Sequence, residues 1–120
     1  MSQKVLVVDD SGTMRKIIIR SLNAVGISDV HEAGDGVEAL AVMEQQPFDL
    51  VLTDWNMPQK TGVELCRDIR AKGSKVPVFM ITTEAEKGRV MEALQAGVTD
   101  YLVKPFTNEA LRAKLDNYAS

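Results

Sequence analysis

Apolar residues come in short unbroken runs, separated by stretches in which they recur every three or four positions. Lys4-Val5-Leu6-Val7-Val8 is the first such run, the pattern of a strand covered on both faces, and it ends abruptly in Asp9-Asp10. Ser11-Gly12-Thr13 follows, and Met14, Ile17, Ile18, Leu22 and Val25 then recur at helical spacing as far as Gly26, a helix stop. A weaker strand runs roughly from Asp29 to Ala33. Asp35-Gly36-Val37-Glu38 has the spacing of an N-terminal capping box, and Val37, Leu40, Ala41 and Glu44 carry that helix toward Pro47.

Leu50-Val51-Leu52 forms the central strand. Pro58 cannot lie within it and biases Met57 toward extended backbone, so Asp54 falls at the strand's carboxyl end. Thr61-Gly62-Val63-Glu64 is a second capping box, with Leu65, Cys66 and Ile69 as the apolar stripe and Gly73 as the stop. Val76 to Ile81 predicts a fourth strand finishing at Thr82-Thr83. A helix from about Glu86 to Ala96 leads to Gly97. Tyr101-Leu102-Val103 is the fifth strand and runs into Lys104-Pro105, after which Thr107 caps a helix with the stripe Leu111, Leu115 and Tyr118.

Strands alternating with helices in this way predict an α/β fold, a five-stranded parallel sheet with five flanking helices. Right-handed crossovers leave few strand orders, and 2-1-3-4-5 is the common one. In that order Asp9 and Asp10 stand beside Asp54, and Thr82 and Lys104 complete the same rim. Ligands of open α/β sheets bind at this edge.

The 120 residues suffice for one domain with a proper core, and 45% hydrophobic with 26% charged residues is ordinary for a globular protein. A net charge of −3 argues against nonspecific nucleic-acid binding. No apolar run approaches the ~18 residues of a membrane span, and a cytoplasmic location is expected. Cys66 and His31 each stand alone, which excludes an internal disulfide and gives a soft metal no ligand set.

Three carboxylates at one edge repel one another, and an all-oxygen donor set suits a hard cation, Mg2+ in particular. A cation beside Asp54 would also prepare that carboxylate for a phosphoryl group, with Lys104 supplying a second positive charge and Thr82 a hydroxyl donor.

Val-Val-Asp-Asp-Ser at 7–11, Thr-Asp-Trp-Asn-Met-Pro at 53–58, Ile-Thr-Thr-Glu-Ala at 81–85 and Val-Lys-Pro-Phe-Thr at 103–107 closely resemble the receiver domains of bacterial two-component response regulators. The likeness covers essentially the whole chain. Asp-Trp-Asn-Met-Pro and Val-Lys-Pro-Phe-Thr are more particular than the general receiver pattern, and within that family the chain most resembles the stand-alone chemotaxis regulators. The resemblance implies a flavodoxin-like fold, and the strand order is carried over from such folds rather than derived from these residues. It implies residues 1–120 as a single receiver domain without an output domain, and a monomer.

By the same resemblance Asp54 is the phosphoacceptor. Asp10, Asp54 and the main-chain carbonyl of Asn56 would bind Mg2+, with Asp9 reaching it through water. Thr82 and Lys104 would contact the phosphoryl oxygens, and Tyr101 would be a rotameric switch. A cis Lys104–Pro105 bond is also implied. The expected partners are a sensor histidine kinase, a target such as a flagellar motor switch protein and a phosphatase, with no nucleic acid and no membrane.

Thr83 and Thr99-Asp100 depart from the chemotaxis pattern near the expected partner face, which bears on the partner rather than on the chemistry. A phosphorelay intermediate is the alternative within signalling. An aspartyl-phosphate phosphatase would call for Asp-x-Asp, but Asn56 cannot exchange protons. A flavin or nucleotide binder would call for a Gly-x-Gly-x-x-Gly or Walker loop, and neither is present.

Overall fold

The computed structural model describes residues 3–57, 59–83 and 88–118. Pro58, Glu84, Ala85 and the expected start of the fourth helix at Glu86 and Lys87 lie outside them. Strands β1 (Lys4–Val8), β2 (Asp29–Ala33), β3 (Leu50–Asp54), β4 (Val78–Thr82) and β5 (Asp100–Val103) alternate with helices α1 (Gly12–Ala24), α2 (Gly36–Gln45), α3 (Gly62–Ala71), α4 (Val90–Gln95) and α5 (Asn108–Tyr118). All strands pair in parallel, in the order β2-β1-β3-β4-β5.

The unbroken apolar run of β1 is explained by helices on both faces. Val5 and Val7 share one core with Leu50, Leu52, Phe79 and Ile81, covered by Ile18 and Leu22 of α1 and by Leu111 and Leu115 of α5. Leu6 and Val8 belong to the other, with Val51, Val78 and Met80 under Ala39 of α2, Leu65 and Ile69 of α3 and Ala93 of α4. Successive residues point to opposite faces, so both sets must be apolar.

Side chains cap the starts of α1, α2, α3 and α5, the last three at the expected positions. The Ser11 hydroxyl accepts from the Met14 N–H at 3.2 Å, Asp35 Oδ1 from Glu38 N–H at 2.8 Å, and Thr107 Oγ1 from Ala110 N–H at 3.0 Å. Both halves of the Thr61–Glu64 capping box form, whereas only the Asp35 half is seen at α2. Helices α1, α3 and α4 run out into Gly26, Gly73 and Gly97, each at positive φ. The Lys104–Pro105 bond is cis.

Two helix faces differ from expectation. Ile17 is 48% exposed and Val37 is 51% exposed, so neither belongs to its buried stripe. In α1 the core side is Ile18 and Leu22. In α2 it is Gly36 and Ala39, with Leu40, Val42 and Met43 packed at the margin and Ala41 and Glu44 facing solvent. The α2 stripe turns on Gly36, which has no side chain to announce it. Tyr118 is 42% exposed, although its ring meets Phe79 edge-on at 5.4 Å.

Candidate functional site at the carboxyl edge of the sheet

Parallel pairing of β1 with β3 sets Val8 opposite Thr53, so the residues that follow each strand emerge side by side. Asp9, Asp10 and Asp54 each offer a carboxylate oxygen, and these oxygens lie within 4.8 Å of one another. The three differ in exposure: Asp9 is buried, Asp54 half-buried and Asp10 exposed. Asp9 Oδ1 accepts from the Ser11 N–H at 2.8 Å, while its Oδ2 is buried without a hydrogen-bond partner among the described residues. Burial, and then the neighbouring Asp54 charge, raise the Asp9 carboxyl above its ordinary value, against the lowering effect of the Ser11 N–H and of Lys104.

A buried carboxylate with one unpartnered oxygen, grouped with two more carboxylates, is costly. Oxygen donors of this kind fit a hard divalent cation, held directly or through water. An open cleft lined by Asp10, Asn56, Met57 and Thr61 runs beside the cluster.

Asp54 Oδ1 accepts from the Trp55 N–H at 2.9 Å and from Lys104 Nζ at 3.3 Å. The side chains of Lys104 and Asp54 are 18% and 13% exposed, so the pair is only lightly screened by solvent. Lys104 reaches it from the end of β5, where its N–H donates to the Thr82 carbonyl at 2.6 Å. Thr82, the last residue of β4, lies one position beyond Ile81, the partner of Asp54 across the β3–β4 pair. Its hydroxyl is buried and has no hydrogen-bond partner among the described residues.

The structure thus brings Asp9, Asp10, Asp54, Thr82 and Lys104 to one edge. Asn56 is exposed just past Asp54. Tyr101 sits back from the rim within β5, half-buried opposite Met80. Trp55, next to Asp54, is 1% exposed, with the Arg89 guanidinium 4.6 Å from its ring centroid.

Several contributors gave no warning in the sequence reading. Gly62 donates its N–H to the Trp55 carbonyl at 2.9 Å, and a Cβ there would run into the Asp54 carbonyl oxygen. Arg15 Nη1 donates to the Asp9 carbonyl at 2.5 Å. Lys114 Nζ pairs with Asp100 at 2.8 Å and stands 4.9 Å from the Tyr101 ring centroid. For Gly62 the available signal was its place directly after the Thr61 cap. For Arg15 it was a cation one turn into the helix that follows two acids.

An apolar cavity of about 230 Å3 lies elsewhere, among Leu40, Met43, Phe48, Ile69 and Val76 near the carboxyl ends of α2 and α3. The acidic and basic groups of the rim do not line it.

A doubly wound parallel sheet with this order, three carboxylates at the switch point and a lysine on the central one define a receiver-type α/β domain. The chain belongs to the response regulator receiver domain family, whose model matches residues 5–116. It is similar to the chemotaxis protein CheY-3 of Vibrio cholerae, with 46% identity over 117 residues, 96% of this chain and 90% of that protein.

Among solved structures it is similar to chemotaxis response regulator CheY4 of Vibrio cholerae. The TM-score is 0.88 at 37% identity, covering 98% of this chain and 99% of that one. It is also similar to the receiver domain of the sensor histidine kinase PA1611 from Pseudomonas aeruginosa, described with a magnesium ion coordinated in the active-site cleft. There the TM-score is 0.86 at 33% identity, with 98% of each chain covered.

Proposed function

We propose that this chain is a phosphorylation-activated signalling switch in which Asp54 accepts a phosphoryl group from a sensor histidine kinase. The observation that carries the reading is the Asp54 carboxylate, held by Lys104 and the Trp55 N–H at the edge of the acidic cluster. In the transfer an Asp54 oxygen forms the new bond to phosphorus as the bond to the donor's imidazole nitrogen breaks. The product is an acyl phosphate and a histidine that recovers its proton from solvent.

Asp9, Asp10, Asp54 and the Asn56 carbonyl are the proposed holders of Mg2+, Asp9 through water. When bound, the ion supplies positive charge against the phosphoryl oxygens. Lys104 adds a fixed charge on the β5 side, and the Thr82 hydroxyl, without a partner among the described residues, is a donor available to a phosphoryl oxygen. Drawing Thr82 toward the new charge alters the packing beside β5, and Tyr101 is the ring proposed to respond.

Likeness to CheY-type chemotaxis proteins supports a target in motility control, such as a flagellar motor switch protein, and a cytoplasmic site of action. Phosphotransfer and hydrolysis are self-catalysed on this reading, and the chain is a regulator rather than a turnover enzyme.

The test incubates wild type and Asp54→Asn with Mg2+ and a small phosphodonor and follows intact mass. Wild type should gain one phosphoryl group, and the variant should gain none. Equal gain in both would sink the assignment of Asp54.

A further inference from the structure

We propose that Arg15 is a positioning residue for the acidic cluster, setting how tightly Asp9, Asp10 and Asp54 hold a divalent cation. The inference rests on the reading of that cluster as a Mg2+ site. Asp9 is fixed at every polar atom but one. Its N–H donates to the Ala33 carbonyl at 3.1 Å, its Oδ1 accepts from the Ser11 N–H at 2.8 Å, and its carbonyl accepts from Arg15 Nη1 at 2.5 Å. Oδ2 alone is left without a partner among the described residues, and it belongs to the cluster's most buried carboxylate.

Arg15 reaches this carbonyl from the first turn of α1 and is anchored from the other side. Its Nε donates to Glu32 Oε1 at 2.8 Å, so one planar guanidinium joins α1, the end of β1 and β2. The side chain passes Gly12 and Gly34 closely: an added Cβ would stand 3.5 Å and 3.8 Å from its terminal nitrogens. It is 22% exposed, packed rather than free to wander.

The mechanical consequence lies in the Asp9–Asp10 peptide. That unit is planar, so holding its carbonyl also sets the direction in which Asp10 leaves the strand. Asp10 is exposed, and its backbone is what aims it. Arg15 therefore preorganises two ligands at once without touching the ion. Partners that orient metal ligands in this way are worth roughly ten- to a hundredfold in metal affinity when removed. Lysine cannot replace it, because a single ammonium does not reproduce two diverging N–H bonds held in one plane.

Charge and geometry make opposite predictions, which gives the test its force. Arg15→Gln removes a positive charge near a cation site, so Coulomb attraction alone would tighten Mg2+ binding. Positioning predicts weaker binding. Arg15→Lys keeps the charge, and positioning predicts no rescue.

The experiment measures Mg2+ affinity of metal-stripped wild type, Arg15→Lys and Arg15→Gln by titration calorimetry. Urea unfolding in chelator confirms that each variant is folded. The Ser11 amide resonance in the metal-free proteins reports whether Asp9 has lost its fixed orientation. The expected result is about tenfold weaker binding or more in both variants, with a shifted Ser11 amide. Arg15→Lys is the safe variant for folding, because its stem and helix preference are retained. Wild-type affinity in Arg15→Lys, or tighter binding in Arg15→Gln, overturns the positioning role and leaves the cluster reading intact. Wild-type protein that binds no Mg2+ overturns both.

Discussion

Gly62→Ala is the substitution whose effect the geometry states most directly. Gly62 opens α3 and approaches the central strand so closely that an added Cβ would collide with the Asp54 carbonyl oxygen. It would also stand 2.8 Å from Met80 Sδ and 3.1 Å from its methyl. The methionine is flexible and can retreat, but the carbonyl is backbone and is itself bonded to the Thr53 hydroxyl at 3.1 Å. Relief therefore requires the start of α3 to move away, stretching the 2.9 Å bond from the Gly62 N–H to the Trp55 carbonyl.

Overpacking of this kind costs about 1–3 kcal/mol. Alanine's better helix propensity returns less than ~1 kcal/mol at a first helical position. A net loss of about 1–2 kcal/mol lowers the melting temperature of a domain this size by roughly 4–8 °C. Thermal melts in chelator read the loss. Gly88→Ala is the control, because among the described residues no atom beyond its chain neighbours lies within 4 Å of a Cβ added there, and such a change should stay within about 0.5 kcal/mol. Because the collision is with Asp54 itself, Gly62→Ala should also slow phosphoryl uptake from a small donor. Unchanged stability together with unchanged uptake would refute the argument.

Mg2+ at about a hundredfold above its dissociation constant should stabilise the fold by roughly 2.7 kcal/mol by linkage. Calorimetric melts with and without the ion decide this, and Asp10→Asn should raise metal-free stability while weakening the response. Asp9 also makes metal-free stability depend on pH. Its folded carboxyl titrates above the unfolded one, so between those values the folded state holds more protons and stability falls as pH rises. Relative to Asp9→Asn, wild type should therefore gain stability as pH is lowered from neutrality toward the ordinary carboxylate value. Urea midpoints of the two proteins that run parallel across that interval would show that burial does not perturb Asp9.

Strand ends were legible because their signals are local. An apolar run stops at Asp9, Asp54, Thr82 or Lys104, and parallel pairing gathers those stops on one edge without further information. Helix phase was less legible where apolar residues adjoin. Ile17 and Ile18 are chemically identical, and only the tertiary packing against β1 and α5 selects Ile18. Val37 suggested a stripe for α2 that the buried Gly36 could not correct.

The start of β4 falls at Val78 rather than Val76 because of the two residues that precede it. The Val76 carbonyl is taken by Arg70 at 2.7 Å, while Pro77 has no N–H and enters the sheet only through its carbonyl, bonded to the Val51 N–H at 2.9 Å. Asp100 begins β5 one residue before the expected Tyr101 because it pairs with Phe79. Arg15 and Gly62 owe their roles to close approaches across the turns that follow β1 and β3, which hydrophobic periodicity does not encode.

The same logic bears on how a charge at Asp54 could be felt at the surface. Lys104 joins the rim to β5: its Nζ contacts Asp54, and its N–H is bonded to the Thr82 carbonyl. Three residues earlier, Tyr101 faces a different constraint. Asp100 Oδ1 accepts from the Tyr101 N–H and from Lys114 Nζ, each at 2.8 Å, and that ammonium stands 4.9 Å from the tyrosine ring centroid. A cation over an aromatic face contributes about 0.5–1 kcal/mol at an exposed site. Any turning of the ring must give up that contact or carry Lys114 with it.

Moving a two-state equilibrium from 1:99 to 99:1 needs ~5.5 kcal/mol of differential interaction. One hydrogen bond from Thr82 to a charged acceptor supplies about 1.5–3 kcal/mol. On the proposed reading, phosphorylation alone then shifts the Tyr101 population only in part. The remainder must come from a target that prefers the turned state, and linkage requires such a target to populate that state in return.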